Sequence, residues 1–408
     1  MYSSTGTTPN IGSHTDGYIF VYSTMSPSFP SFAQQTTNPS FASSIGNVSV
    51  FGRVSPSYRA CYIFLRSFIV GGGQATDMET RKVQVTGGST YTVSLPKSWA
   101  TDNGVSAGSE VEFYPEDESL LLAPRTEETT AEGTLDVTDL EGPELTRAVV
   151  MMYVNGFDVI TLETASVDAA QRRTIREATQ GLVGLEVIEE TSERVSLQDL
   201  LDSSELSIHN AITRMRLVSL TMLADAVEAL RAGDPDLAAD VIERDDDVDR
   251  LWYMTARVFR SALRDPGAAT DIGLSRETCF DYHSAARQLE RVADHATKIA
   301  EVVTDVEGVS EDVGEALDAL HGGAADVVET AMDALLAESD DDALRLANDA
   351  MTAIDDIDER AREVDGLLRD RDPERSQRLG LVVDSLSRSA DYGGNIAETA
   401  MQKAAPQP

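Results

Sequence analysis

Cysteine is almost missing from this 408-residue sequence. The two present, Cys61 and Cys279, stand far apart. That excludes a disulfide framework and a cysteine zinc cluster. Lysine is scarce as well: four of the 33 basic residues, Lys82, Lys97, Lys298 and Lys403, are lysines. Long apolar runs are lacking. The longest near the start, residues 61–70, is broken by Arg66 and falls short of the roughly 20 residues a bilayer span needs. No positive segment precedes an apolar core at the start, so no secretory signal is read and the chain reads as cytoplasmic. No His-Glu-x-x-His, phosphate-binding loop or Glu-x-x-His spacing occurs. Zincin, P-loop and ferritin-like di-iron chemistry lose their ligand sets.

Acid dominates what is there: 70 Asp and Glu against 33 Lys and Arg, a net charge of -37. A nucleic-acid binder relying on bulk positive charge is excluded, so any DNA contact must come from a small basic patch. Acid excess with few lysines fits proteins of multimolar salt, where the Debye length is under about 3 Å and carboxylate repulsion is screened. A merely acidic protein of ordinary cytoplasm is the alternative. Apolar residues make up 41%, enough for real cores. At roughly 150 residues per domain, two or three domains are expected.

Residues 1–77 carry a net charge of +1 and residues 78–408 carry -38. The first stretch is rich in Ser, Thr, Gly, Pro, Phe and Tyr without sustained period. It reads as a disordered tail or as a translated upstream region with the natural start at Met78, the abrupt change there favouring the second.

Residues 78–125 read as a β-rich unit. Strands at 81–85 and 91–95 flank a Gly87-Gly88 turn, Pro96 opens a short helix ending at Gly104, and 110–114 with 119–123 close as a hairpin. So small a unit is marginal alone, and obligate dimerisation would resolve that. Arg81, Lys82 and Lys97 fall together here, with Thr90 in the same hairpin; doubled in a dimer they make a cationic face suited to phosphate contact. These four are the candidate DNA contacts. A protein–protein module is the competing reading, and Tyr91 and Trp99 read as core or dimer residues. The run Met78-Glu-Thr-Arg-Lys-Val-Gln-Val to Leu95-Pro-Lys-Ser-Trp99, then Gly104-Val-Ser-Ala-Gly108, resembles the SpoVT-AbrB family. The resemblance implies a swapped-hairpin dimer that binds DNA.

Residues 126–205 read as a small α/β linker domain: a strand at 134–137, a helix at 143–155 with Leu145, Val149, Met152 and Tyr153 on one side, a strand at 157–162, a helix at 167–181, and strands at 185–189 and 194–197. It carries no catalytic motif and reads as a spacer or dimerising domain.

Residues 206–403 read as helix throughout, over 207–231, 235–264, 276–304, 309–337, 340–369 and 373–400. Gly233-Asp-Pro, Asp265-Pro-Gly, Gly308, Ser339 and 370–373 punctuate them. The third helix sets Phe280, Ala285, Leu289, Val292, Ala296, Ile299 and Val303 in one apolar register. Six antiparallel helices make two three-helix bundles or one longer bundle. Leu289-Glu-Arg-Val-Ala-Asp-His in the third helix matches Leu386-Ser-Arg-Ser-Ala-Asp-Tyr in the sixth, so two repeats are read, 206–305 and 309–401. The second and fifth helices echo each other more weakly.

Glu290 and Asp294 share a helix face at i, i+4 and repel unless neutralised. A hard or borderline cation could bridge them, with aspartates of the adjacent helix completing an oxygen shell; a solvated acidic face is the plain alternative. His295 reads as a helix-surface residue. Paired three-helix bundles with Leu-Glu-Arg-x-Ala-Asp-x-x-x-x-Ile resemble the PhoU family. The resemblance implies regulation of phosphate uptake and metal clusters, of divalent or iron type, held by Glu/Asp-x-x-x-Asp motifs. That motif falls on Glu290 and Asp294. In the second repeat it falls on Ser387 and Asp391, where a carboxylate is lost and binding should weaken or vanish. Asp246, Asp249, Asp355 and Asp358 are weaker candidates, placed by the echo between helices.

The expectation is a multidomain, dimeric, non-enzymatic regulator without membrane insertion, whose partners are DNA and the ATPase of the phosphate ABC transporter. The alternatives are an adaptor that inhibits the transporter without touching DNA, and a metal-dependent phosphohydrolase built on the helical carboxylates.

Overall fold

The computed structural model describes residues 80–406 apart from positions 89, 117–118, 126–129, 202–206, 307 and 370. The reading of residues 1–77 lies outside the described residues. The chain divides into two units at Lys82/Val83, a few residues beyond the composition change at Met78.

The first elements of the second unit are β1 (Gln84–Thr86), β2 (Thr90–Thr92), α1 (Lys97–Asp102), β3 (Val111–Glu116) and β4 (Ser119–Pro124). Gly87 and Gly88, at φ 65° and 85°, make the β1–β2 turn in the left-handed conformations that favour glycine. β1 pairs antiparallel with β2, and β3 with β4, as two separate two-stranded hairpins. Among the described residues from Thr80 to Arg125, none is buried. Val83, Val85, Tyr91, Val93, Phe113 and Leu120 are each at least half exposed. Alternating β sequence has made strands here, and the described residues leave their apolar face uncovered.

The next module runs β5 (Glu132–Asp136), α2 (Gly142–Val154), β6 (Val159–Glu163), α3 (Ala169–Gln180), β7 (Leu185–Glu190) and β8 (Arg194–Asp199). Its sheet has the order β5-β6-β8-β7, with β5 and β6 parallel across the α2 crossover and the other pairs antiparallel. Asp168 starts α3 with a reciprocal capping box to Gln171. The Gln171 side chain then donates to Val137 O and Leu140 O, tying the helix to the end of β5. Leu145, Val149, Met152 and Tyr153 lie in the module's core with Ile160, Leu162, Ile175 and Leu197.

Helices fill the rest: α4 (Ile208–Ala232), α5 (Pro235–Arg264), α6 (Pro266–Ile272), α7 (Arg276–Val303), α8 (Glu311–Leu336), α9 (Asp340–Leu368) and α10 (Pro373–Ala404). Ser207, Asp234, Ser275, Ser339 and Asp372 cap N-termini with their side chains. Gly233, at φ 62°, closes α4 in the left-handed region. The short α6 falls where the sequence suggests only a break: Asp265 both ends α5 and caps a new turn through Gly267 N. α4, α5 and α7 form one three-helix bundle and α8, α9 and α10 a second. α7 packs on α10 between them, and one continuous apolar core joins both bundles. No helix of the described residues is long and apolar enough to cross a membrane.

The α/β module is fastened to α5 by a buried arginine. Arg257 is 6% exposed. It donates to Tyr153 O (2.8 Å), Phe157 O (3.0 Å) and Asp158 Oδ1 (2.7 Å), and pairs with Asp199 Oδ2 at 2.9 Å. Its guanidinium lies 5.0 Å from the Tyr153 ring centre.

Candidate functional site

The helical pitch puts Glu290 and Asp294 one turn apart on α7, facing α5. Burial then separates them from ordinary surface acids. Glu290 is 4% exposed. One of its carboxylate oxygens accepts from Arg287 at 2.7 Å, and the other, Oε2, is buried without a hydrogen-bond partner. Burial pushes the Glu290 carboxyl up to about 8; Asp294 and Asp249 add to this, and Arg287 opposes it. From α5, Asp249 is pushed up to about 6 by burial and by Asp294, while its Oδ2 accepts from Tyr253 OH at 3.4 Å. Asp245 is pushed up to about 7 by burial, then by Asp249 and Asp294. Asp294 is itself raised by burial, with Lys298 opposing.

Asp245, Asp249, Glu290 and Asp294 thus form one electrostatic cluster across the α5–α7 contact. Glu290, Asp294 and Asp249 are where sequence reasoning put them. Asp246 is exposed; the neighbour that enters the cluster is Asp245, one residue earlier, because a step of 100° moves a side chain to a different face. Three adjacent aspartates, 245–247, left that choice open in the sequence. The second repeat differs. Asp355, Asp358 and Asp391 are exposed, and Asp391 and Asp358 lie 3.7 Å from Arg388 and 3.8 Å from Arg362.

The chemistry of this donor set suits a hard cation, and the unpartnered Glu290 Oε2 is an open ligand position. The geometry is not a finished shell: among the described residues no three His, Cys, Asp or Glu side chains gather closely enough to hold a metal ion. Within the cluster Arg287 pairs with Glu290 at 2.7 Å, and Lys298 and Arg287 oppose the upward push on Asp294.

His295 corrects an expectation. It is 7% exposed, not on the helix surface. Its Nε2 lies 3.3 Å from Tyr392 OH, the residue at the same repeat position on α10. Sequence register contained this: two equivalent residues meet where the two bundles meet.

At the front of the chain, Arg81, Lys82, Thr90 and Lys97 are all exposed. Arg81 and Lys82 end the first unit, while Thr90 and Lys97 belong to the second. Lys97 opens α1, where Thr101 Oγ1 donates to its carbonyl at 2.9 Å. Tyr91 is 77% exposed and Trp99 is half-buried, so in one copy neither is core.

Comparison with known proteins assigns the two ends separately. The sequence model of the PhoU domain matches residues 212–303, which span α4, α5 and α7 and hold the carboxylate cluster. The model described as antidote-toxin recognition MazE, bacterial antitoxin, matches residues 84–130. A curated relative, the phosphate-specific transport system accessory protein PhoU homolog of Zymomonas mobilis, is 33% identical over 82 residues, which is 20% of this chain. The chain spans about a third of that relative's length (32%). PhoU from Pseudomonas aeruginosa is a similar solved structure, with 23% identity, a TM-score of 0.42 and coverage of 48% of this chain and 93% of that one. The phosphate transport system regulatory protein PhoU from Streptococcus pneumoniae is another, with 18% identity, a TM-score of 0.39 and coverage of 47% and 91%. The chain therefore carries a PhoU domain in its helical half and a MazE/AbrB-like domain at its front.

Proposed function

We propose that the protein is a phosphate-responsive regulator of phosphate uptake, which binds DNA through its front unit and senses phosphate status, or docks the transporter's ATPase, through its helical half. The observation that carries this is the fusion itself: a MazE/AbrB-like domain and a PhoU domain in one chain. The exposed apolar face of β1–β4 supports dimerisation through the front unit, since a second copy would cover it. Two copies would also double Lys97 on a chain of net charge -37. The two ends would then be coupled by a two-state arrangement that a partner at the helical half biases. The test is binding of the purified full chain to DNA upstream of phosphate-transport genes. Charge reversal at Arg81, Lys82 and Lys97 should abolish retention. An adaptor without a DNA role would show no retention by wild type and would keep its transporter binding in the variant.

A second reading concerns the carboxylate cluster. The unpartnered Glu290 Oε2 supports metal binding there, completed by Asp294 and Asp249 after small side-chain shifts. Titration calorimetry with Mn²⁺, Zn²⁺ and Fe²⁺ tests it: binding that survives Asp391→Asn but is lost in Glu290→Gln is expected. A phosphohydrolase would instead show phosphate-ester turnover abolished by Glu290→Ala.

A further inference from the structure

Eleven residues join α5 to α7, while four join α9 to α10 at the same place in the second bundle. The difference of seven is the length of α6. The second bundle closes without such a helix, so three-helix packing does not call for one. What α6 meets lies outside the helical half. A side chain at Gly267 would come within 3.1 Å of the Tyr114 hydroxyl on β3 of the front unit, and within 3.1 Å of Asp265 Oδ1. Gly267 is outside the left-handed region, so its backbone would accept a side chain. The close approach of Tyr114 and Asp265 is what favours glycine here. Tyr114 is half-buried, and its hydroxyl donates to Glu112 Oε2 at 2.5 Å. That bond, with Asp265 and Asp271 at the two ends of α6 adding to it, pushes the phenol up to about 12, so it keeps its proton.

The hairpin meets α6 with one face only. Strand alternation puts Glu112 and Tyr114 on one side of β3, and Val111, Phe113 and Pro115 on the other. The register sets Phe113 against Leu122 and Pro115 against Leu120. Phe113 and Leu120 are 55% and 58% exposed. The apolar face is therefore turned away from α6, and a second copy could cover it without breaking the α6 contact. On its other side α6 continues from α5, since Asp265 ends one helix and caps the next. α5 carries Asp245 and Asp249 of the carboxylate cluster, and through Arg257 it holds the α/β module. From Asp249 to the end of α5 is about 22 Å of helix.

We propose that the contact of the β3–β4 hairpin with α6 is the joint that couples the two ends of the chain. Tyr114 seated on Gly267 ties the front unit to the far end of α5, so a change in how α5 packs is passed to the DNA-binding unit. The opposite face of the hairpin stays available for the dimer. The proposal rests on the reading above in which the front unit binds DNA and the helical half biases it, and it locates that coupling.

The experiment has two arms, both on the full chain. Hydrogen exchange reads the joint itself. Gly267→Leu drives a side chain into the place of the hydroxyl, and Tyr114→Ala removes the ring. Each should speed exchange at 111–116 and 266–272 about tenfold or more. Gly380→Leu is the control: on α10, its new side chain starts where nothing lies within 4 Å, and exchange at the joint should match wild type. The second arm measures binding to DNA upstream of phosphate-transport genes, with and without the purified ATPase of the phosphate transporter. In wild type the ATPase should change DNA affinity about fivefold or more. In Gly267→Leu and Tyr114→Ala, DNA binding should persist and that change should vanish. Exchange that the variants leave unaltered, or an ATPase effect of wild-type size in them, overturns the joint alone. A wild type whose DNA affinity ignores the ATPase overturns the coupling, and a wild type that binds no DNA overturns the regulator reading together with it.

Discussion

Replacing Glu290 with Gln should make the protein more stable at pH 8 and almost unchanged at pH 4.5. Glu290 is 4% exposed, and its carboxyl is pushed from 4.5 to about 8, first by burial and then by Asp294 and Asp249, against Arg287. The folded state therefore keeps a proton that the unfolded chain has lost between pH 4.5 and about 8. Where the folded state binds more protons, stability falls as pH rises. The penalty is absent below about pH 4.5 and complete above about pH 8. At about 1.4 kcal/mol per pH unit it is on the order of 5 kcal/mol for a rise of this size. Gln keeps an oxygen to accept from Arg287 and has no charge to desolvate. The other acids of the cluster, and the chain's general acidity, still titrate in the variant. The difference between the two proteins isolates Glu290. Urea denaturation followed by circular dichroism at fixed salt, with chelator present, gives both curves. The slope of stability against pH should be about 1.4 kcal/mol per unit less negative in Glu290→Gln across the window. Parallel curves, or a wild type that gains stability from pH 5 to pH 8 relative to the variant, would refute the reasoning.

Arg257→Ala strips the backbone carbonyls of Tyr153 and Phe157 of a donor and leaves Asp199, whose side chain is 5% exposed, without its cation. A loss of about 3–5 kcal/mol follows, seen as separate melting of the α/β module from the helices in calorimetry. Gly393→Ala sets two effects against each other. Helix propensity favours Ala by about 1 kcal/mol, but the new Cβ would meet Val327 Cγ1 at 2.8 Å and Val328 N at 3.0 Å, so net destabilisation in thermal melts is expected. Val85→Asp with Tyr91→Asp should convert a dimer to a monomer in sedimentation equilibrium, since both side chains lie exposed on the paired β1–β2 hairpin.

The helices were legible because their punctuation is chemical. Ser207, Asp234-Pro235, Ser275, Ser339 and Asp372-Pro373 mark helix starts that the structure uses. The α/β module was legible element by element, since its strands are short apolar runs and its helix stripe of Leu145, Val149, Met152 and Tyr153 is buried as periodicity requires. Tertiary contacts were less legible. Spacing put Glu290 and Asp294 on one face, but it could not choose between Asp245 and Asp246, which depends on how α5 is rotated against α7. Nor could it turn His295 inward or Phe280 outward. His295 points at its own repeat counterpart, and only the packing of α7 on α10 brings Tyr392 there. Arg257 was missed because its four partners lie about 60 to 100 residues away in sequence. Its signal, an arginine among buried Ala256 and Val258, was present without a reason to single it out.

The central claim joins DNA binding at the front to phosphate status at the helical half. Genome-wide crosslinking of the tagged protein in cells, with phosphate plentiful and then scarce, tests that claim most directly. The account predicts peaks upstream of phosphate-transport genes whose occupancy changes with phosphate. Deleting residues 207–408 should leave those peaks occupied but indifferent to phosphate. No enrichment in either state would contradict the account and leave the front unit as a dimerisation device on an adaptor.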